Sequence, residues 1–172
     1  ININLTRGGI REKSRNLNIK IPQTWEFSGF SQNGEDGIID ILINNLKEQN
    51  NYIIEIGSSD GLQNNSTWLM LTRNYQGLLI EGNSELSRVA KRNLANFSIG
   101  SIFKQMFVDL DNLSFLKELA TNFTPDIFSL DIDGIDYYVA DKILENGFRP
   151  KIFVTEYNSA FGPKESITVK YS

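Results

Sequence analysis

The sequence predicts an α/β fold, a Rossmann-like doubly wound and mostly parallel sheet with helices on both faces. Three observations carry that expectation. Short runs of branched apolar residues alternate with segments of helical spacing from residue 31 onward. One run, Tyr52-Ile53-Ile54-Glu55-Ile56, passes directly into the small-residue turn Gly57-Ser58-Ser59-Asp60-Gly61. Each proposed strand also ends in polar or acidic residues, and the carboxyl ends of strands are where an open α/β sheet binds its ligands.

The elements follow in order. Residues 1–30 lack sustained periodicity and carry the basic side chains Arg7, Arg11, Lys13 and Arg15, followed by Pro22, Trp25 and Phe27, which reads as a lead-in arm to a domain over 31–172. Ser31 is a candidate cap for a helix with Glu35 and Asp36 in its first turn and Ile38, Ile39, Leu42 and Leu46 at helical spacing. Strands are predicted at 52–57, 77–81, 102–108, 126–132 and 151–157. Helices are predicted between them at about 65–74, 84–96, 112–122 and 136–146. Ser84 and Asn112 are candidate caps, Gly147 a stop with Pro150 beyond it, and 167–171 a possible further strand.

Composition narrows the chemistry. The 172 residues suit a single core, and with a formal net charge of −4 no extended basic surface for nucleic acid is evident. No apolar run approaches membrane-spanning length, so the expectation is a soluble, cytoplasmic protein. Absence of cysteine excludes disulfides and thiolate chemistry, and absence of histidine removes the commonest general base and transition-metal ligand. Acid–base or metal work falls to carboxylates, amides, Lys or Tyr.

The strand ends supply those groups. The turn after the first strand, with Gly57, Ser58, Ser59, Asp60 and Gly61 next to Glu55, lets backbone approach a nucleotide-like cofactor. It lacks the dinucleotide fingerprint, since Ser59 and Leu62 stand where glycines would be needed. Glu81, beside Gly82 at the end of the second strand, suits both hydroxyls of a ribose. Asp109 either accepts from an adenine amino group or starts a helix. Asp131-Ile132-Asp133-Gly134-Ile135-Asp136 places Asp131 and Asp133 on one face if the strand continues, with Asp136 as a helix cap. Glu156 and Asn158 repeat the spacing one strand away, so Asp131, Asp133, Glu156 and Asn158 form a candidate magnesium site. The same Asp-x-Asp would also hold a metal on the diphosphate of a nucleotide sugar.

The turn at 55–61 resembles the first motif of class I S-adenosylmethionine-dependent methyltransferases, with Ser59 in place of its middle glycine. Together with Ser31-Gln32-Asn33-Gly34-Glu35-Asp36, Asn65-Ser66-Thr67, Leu79-Ile80-Glu81-Gly82, Ser129 to Tyr137 and Glu156-Tyr157-Asn158, it resembles the FkbM-type methyltransferase family from Ser31 to Pro163. The resemblance implies S-adenosylmethionine as methyl donor and a hydroxyl of a sugar, glycan or secondary metabolite as acceptor. It places Glu55, Gly57, Ser59 and Gly61 on the methionine and ribose side, Glu81 on the ribose, Asp131 beside the reactive methyl, and Gln32 and Glu35 closing the pocket. Catechol O-methyltransferase-like enzymes draw metal ligands from the same two strand ends, a place taken here by Asp131, Glu156 and Asn158. A complete class I sheet has further C-terminal strands, so the chain is expected to lack that part. Asp131, Asp133 and Glu156 are the candidate catalytic bases. The alternatives are a metal-dependent nucleotide-sugar glycosyltransferase using Asp131 and Asp133, and a methyltransferase-like binding module without activity.

Overall fold

The structure is a computed structural model and describes residues 1–172 except Asn158, Pro163 and Ser172. Five strands, β1 (Tyr52–Ile56), β2 (Gln76–Glu81), β3 (Ile102–Gln105), β4 (Ile127–Leu130) and β5 (Ile152–Thr155), form one sheet of order β3-β2-β1-β4-β5. All its pairings are parallel: Ile54 lies opposite Leu78 and Phe128, Leu79 opposite Phe103, and Phe128 opposite Phe153. The chain leaves β1 toward β2 and β3, then returns to the other side of β1 as β4. The topological switch point therefore lies between β1 and β4, as the doubly wound expectation requires.

Side-chain alternation along the strands divides the core in two. Ile54, Ile56, Leu78, Ile80, Phe128 and Leu130 face α5 (Phe115–Leu119) and α6 (Asp136–Glu145), packing with Leu116, Val139, Ile143 and Phe148. Ile53, Leu79 and Ile127 face the opposite layer, where α2 (Glu35–Asn44) brings Ile39 and Ile43, α3 (Thr67–Arg73) brings Trp68, Leu69 and Met70, and α4 (Ser84–Leu94) brings Leu94. A sheet covered on both faces has apolar runs rather than strict alternation, which is what 53–56, 78–80 and 127–130 show.

Several local expectations change. A helix α1 spans Asn2–Ser14 within the stretch expected to be an irregular arm, and a 3-10 turn follows at Pro22–Thr24. Ile1 and Leu5 pack on the core layer containing Phe27, Phe30 and Trp68, so tertiary contact makes this helix where propensity is poor. Ser31 does not occupy the cap of α2. Gly34 does, at φ +94, and Ser31 Oγ instead accepts from the Asp36 N–H at 2.9 Å. Asp36 Oδ2 returns the contact, accepting from the N–H groups of Gly29, Phe30 and Ser31. The cap of α4 is Asn83 rather than Ser84, its side chain accepting from Glu85 and Leu86 N–H. Asn112 staples a turn by donating to Phe107 O at 2.7 Å, and α5 begins only at Phe115. Gly147 ends α6 as expected. Residues 167–171 form no strand. Among the described residues no helix is long and apolar enough to cross a membrane.

Candidate functional site

Four of the five predicted strands run on past their observed ends, and the overrun builds the site. β3 stops at Gln105, so Met106, Phe107 and Val108 leave the ladder. β4 stops at Leu130, which frees Asp131 and Ile132, and β5 stops at Thr155, which frees Glu156 and Tyr157. Met106, Phe107, Val108, Asp131 and Ile132 border a cleft of about 390 Å³ at the switch point, within the usual size of a small-ligand site, while Glu156 and Tyr157 line a neighbouring cavity.

The cleft's rear wall is the turn after β1. Gly57 sits at φ +86, and a Cβ added to it would stand 1.8 Å from the carbonyl oxygen of Asp131, so only glycine lets the β1 and β4 loops meet. Gly57 and Ser58 N–H both donate to Ile80 O, at 2.9 and 3.0 Å, and Asp131 N–H donates to Ile56 O at 3.0 Å. Ser59, where the general methyltransferase motif has glycine, is itself left-handed at φ +50. Its N–H donates to Glu81 Oε2 at 2.8 Å, while Glu81 Oε1 accepts from Asn83 N–H at 2.8 Å. The carboxylate is thereby fixed at the end of β2, and each oxygen keeps a lone pair for a further donor.

Of the residues predicted from sequence, Gln32, Gly57, Ser59, Glu81, Gly82, Asp131 and Asp133 line this cleft. Among the described residues, the others do not line it. Ser58 is buried, with its carbonyl accepting from Asn64 Nδ2. Asp60 accepts from Leu62 N–H at 2.8 Å, closing the turn on itself. Gly61 packs against Leu94 and Ala90 of α4. Asp109 accepts from Asp111 and Asn112 N–H in a turn, so it neither lines the cleft nor starts a helix, α5 beginning only at Phe115. Glu35 accepts from Asn33 N–H at 2.7 Å.

Glu55 corrects the sequence expectation most clearly. Strand alternation puts it on the side of Ile53, facing α3 rather than the cleft. It is 2% exposed, accepting from Asn65 N–H at 2.8 Å and from the Ser66 hydroxyl. Burial pushes its carboxyl up to about 7, against the opposing effect of those two hydrogen bonds. Sequence reasoning missed Gln63, Leu86, Met106, Phe107, Val108 and Ile132 in the cleft lining. Their only signal was position, just past a strand's carboxyl end, in the turn that follows it or, for Leu86, in the first turn of the next helix.

At the opposite side of the opening, one carboxylate oxygen from each of Asp131, Asp133 and Glu156 lies within 4.8 Å of the others, all on exposed residues. The expected reason for this grouping does not hold, because the strand has ended before Asp131. Asp133 at φ +56 and Gly134 at φ +114 turn the chain sharply instead. Asp136 holds that turn from the first residue of α6, its Oδ1 accepting from Ile132 N–H at 3.0 Å and Oδ2 from Gly134 N–H at 3.1 Å, so it braces the loop and does not cap the helix. Desolvation raises the Asp131 carboxyl above its ordinary value, reinforced by the charges of Asp136, Asp133 and Glu35. Glu156 is raised as well, by desolvation and then by Asp131, Asp133 and Asp136. Asn158, the fourth predicted ligand, lies outside the described residues.

Compared with known protein families and with curated proteins, the chain matches none.

Proposed function

We propose that the protein is an S-adenosylmethionine-dependent O-methyltransferase. The observation that carries this reading is the cleft at the switch point, with Glu81 held by two backbone N–H groups on one side and Asp131 and Asp133 on the other. A bound nucleoside fits this donor and acceptor set. Glu81 has lone pairs for the ribose hydroxyls, and Leu86, Met106, Phe107 and Val108 offer apolar surface for a base. Gln32, Gly57 and Ser59 border the remaining length of the cleft, where polar backbone and an amide suit the amino-acid part.

When bound, S-adenosylmethionine supplies an electrophilic methyl group. The chain's own work is to hold the acceptor hydroxyl near it and to take the hydroxyl proton. Asp131 is the candidate base, since its raised pKa makes its carboxylate a better proton acceptor than an ordinary aspartate. Asp131, Asp133 and Glu156 also form an all-oxygen donor set of the kind magnesium prefers, and an ion there would lower the pKa of the acceptor hydroxyl.

Calorimetric titration of S-adenosylmethionine and S-adenosylhomocysteine, with and without magnesium, tests the reading. Saturable binding of both is expected. Its absence from this protein, together with manganese-dependent binding of a UDP-sugar, would favour the second reading, a glycosyltransferase using Asp131 and Asp133, which the same carboxylate cluster supports. Cofactor binding without turnover of any hydroxylated acceptor would favour a binding module.

A further inference from the structure

A second cavity, of about 470 Å³, opens at the carboxyl ends of β4 and β5 beside the first, and Asp133 lines both. Its wall carries three aromatic side chains that the core does not absorb: Tyr137 is 63% exposed, Tyr157 60% and Phe161 48%. Asp133, Glu156 and Glu165 line the same cavity, as does Asp136, which is held by the loop N–H groups, and no lysine or arginine is among the described residues that line it. None of Asp133, Glu156 and Glu165 belongs to an ion pair among the described residues, whereas Asp40, Glu85, Asp126 and Glu145 all do.

Exposed ring faces beside unpaired negative charge favour one kind of ligand. A sugar or polyol ring stacks on the aromatic faces and donates hydroxyls to carboxylates. A protonated amine gains more, because ring faces attract cations and a carboxylate–ammonium hydrogen bond is charge-assisted. An anionic acceptor meets repulsion and a neutral one gains only the first part.

We infer that this cavity is the acceptor site and that it selects a hydroxylated acceptor bearing a protonated primary amine, with Glu165 and the faces of Tyr137 and Tyr157 receiving the ammonium group. The inference rests on the methyltransferase reading for the word acceptor, and on the cavity alone for the amine preference. Glu165 stands outside the Asp131, Asp133 and Glu156 group, so amine recognition and a magnesium ion do not compete for it.

The test is calorimetry on the full chain with glucosamine, ethanolamine, glucose, N-acetylglucosamine and glucuronate, with S-adenosylhomocysteine titrated separately into the same protein. Glucosamine is expected to bind roughly tenfold more tightly than glucose or N-acetylglucosamine, a preference that weakens with added salt. Glu165→Gln should remove the preference while leaving S-adenosylhomocysteine affinity unchanged, with an unaltered melting temperature showing the variant folds. Tyr137→Leu should weaken both sugars. Equal affinity for glucosamine and glucose, a preference that survives Glu165→Gln, or no saturable binding of either amine would overturn the inference. Amine preference without S-adenosylhomocysteine binding would overturn the methyltransferase reading and leave the amine site standing.

Discussion

The two edges of the sheet use carboxylates in opposite ways. At the amino-terminal edge a single residue, Asp126, is fully buried and surrounded by donors: Asn50 and Asn51 N–H at 2.9 to 3.1 Å, Tyr75 Oη at 2.9 Å and Lys151 Nζ at 2.8 Å. Those donors precede β1, β2 and β5, and Asp126 precedes β4, so one side chain ties together the starts of four strands. At the carboxyl-terminal edge Asp131, Asp133 and Glu156 crowd together, exposed and in no ion pair among the described residues. A charge that is buried and saturated serves the fold. Charges brought together against their own repulsion destabilise the loop that carries them, and a protein tolerates that cost where a ligand is to relieve it.

The contrast can be broken most forcefully at the first edge. Asp126→Ala would leave Lys151, Tyr75 and two backbone N–H groups without their acceptor, and should cost about 3–5 kcal/mol in urea unfolding. A loss below about 1 kcal/mol would mean that the clamp is incidental.

Glu55 sharpens the comparison, since it is buried like Asp126 but belongs to no ion pair among the described residues. Its folded pKa of about 7 lies above its ordinary 4.5, so the folded state holds a proton that the unfolded state has released between those values. Its stabilising contribution is therefore complete below about pH 4.5 and lost as pH rises through 7, by up to about 3 kcal/mol. Glu55→Gln, which imitates the protonated side chain toward Asn65 and Ser66, should flatten that part of the stability profile measured by thermal unfolding from pH 5 to 8. An unchanged slope would locate the titration elsewhere.

The remaining predictions concern the second edge. On the proposed methyltransferase reading, Glu81→Ala should weaken S-adenosylhomocysteine roughly tenfold or more in calorimetry, because a ribose bound there would lose its acceptor and Ser59 N–H loses its anchor. Asp133→Asn should change unfolding free energy by no more than about 0.5 kcal/mol, the range for a surface site, while abolishing any magnesium response of ligand binding. A large loss of stability in that variant would make Asp133 structural like Asp126.

Much of this architecture was legible in the sequence because the sheet is buried on both faces. Runs such as 53–56 and 127–130 have few other uses, and polar residues following each run marked the edge where the cleft opens. Strand ends were overestimated because apolar residues continue after the ladder stops: Met106, Phe107 and Val108 look like strand but line the cleft. Glu55 was misassigned because a motif records order along the chain and not the side of the strand. The helix at Asn2–Ser14 was invisible for another reason. It contains Gly8 and Gly9 and few apolar residues, and its stability comes from packing against distant parts of the chain.

That packing has a use of its own. Trp68 of α3 is 4% exposed, edge-on to Phe27 at a centroid separation of 5.0 Å, and lies so close to Gly8 and Gly29 that a Cβ on either would stand 2.5 and 2.8 Å from its ring. The indole is thus a built-in optical gauge of whether the N-terminal helix is seated. With Trp25, the other tryptophan, replaced by Phe, lifting α1 away should wet the Trp68 ring and move its emission to longer wavelength, so docking of that helix can be followed in solution with no added label.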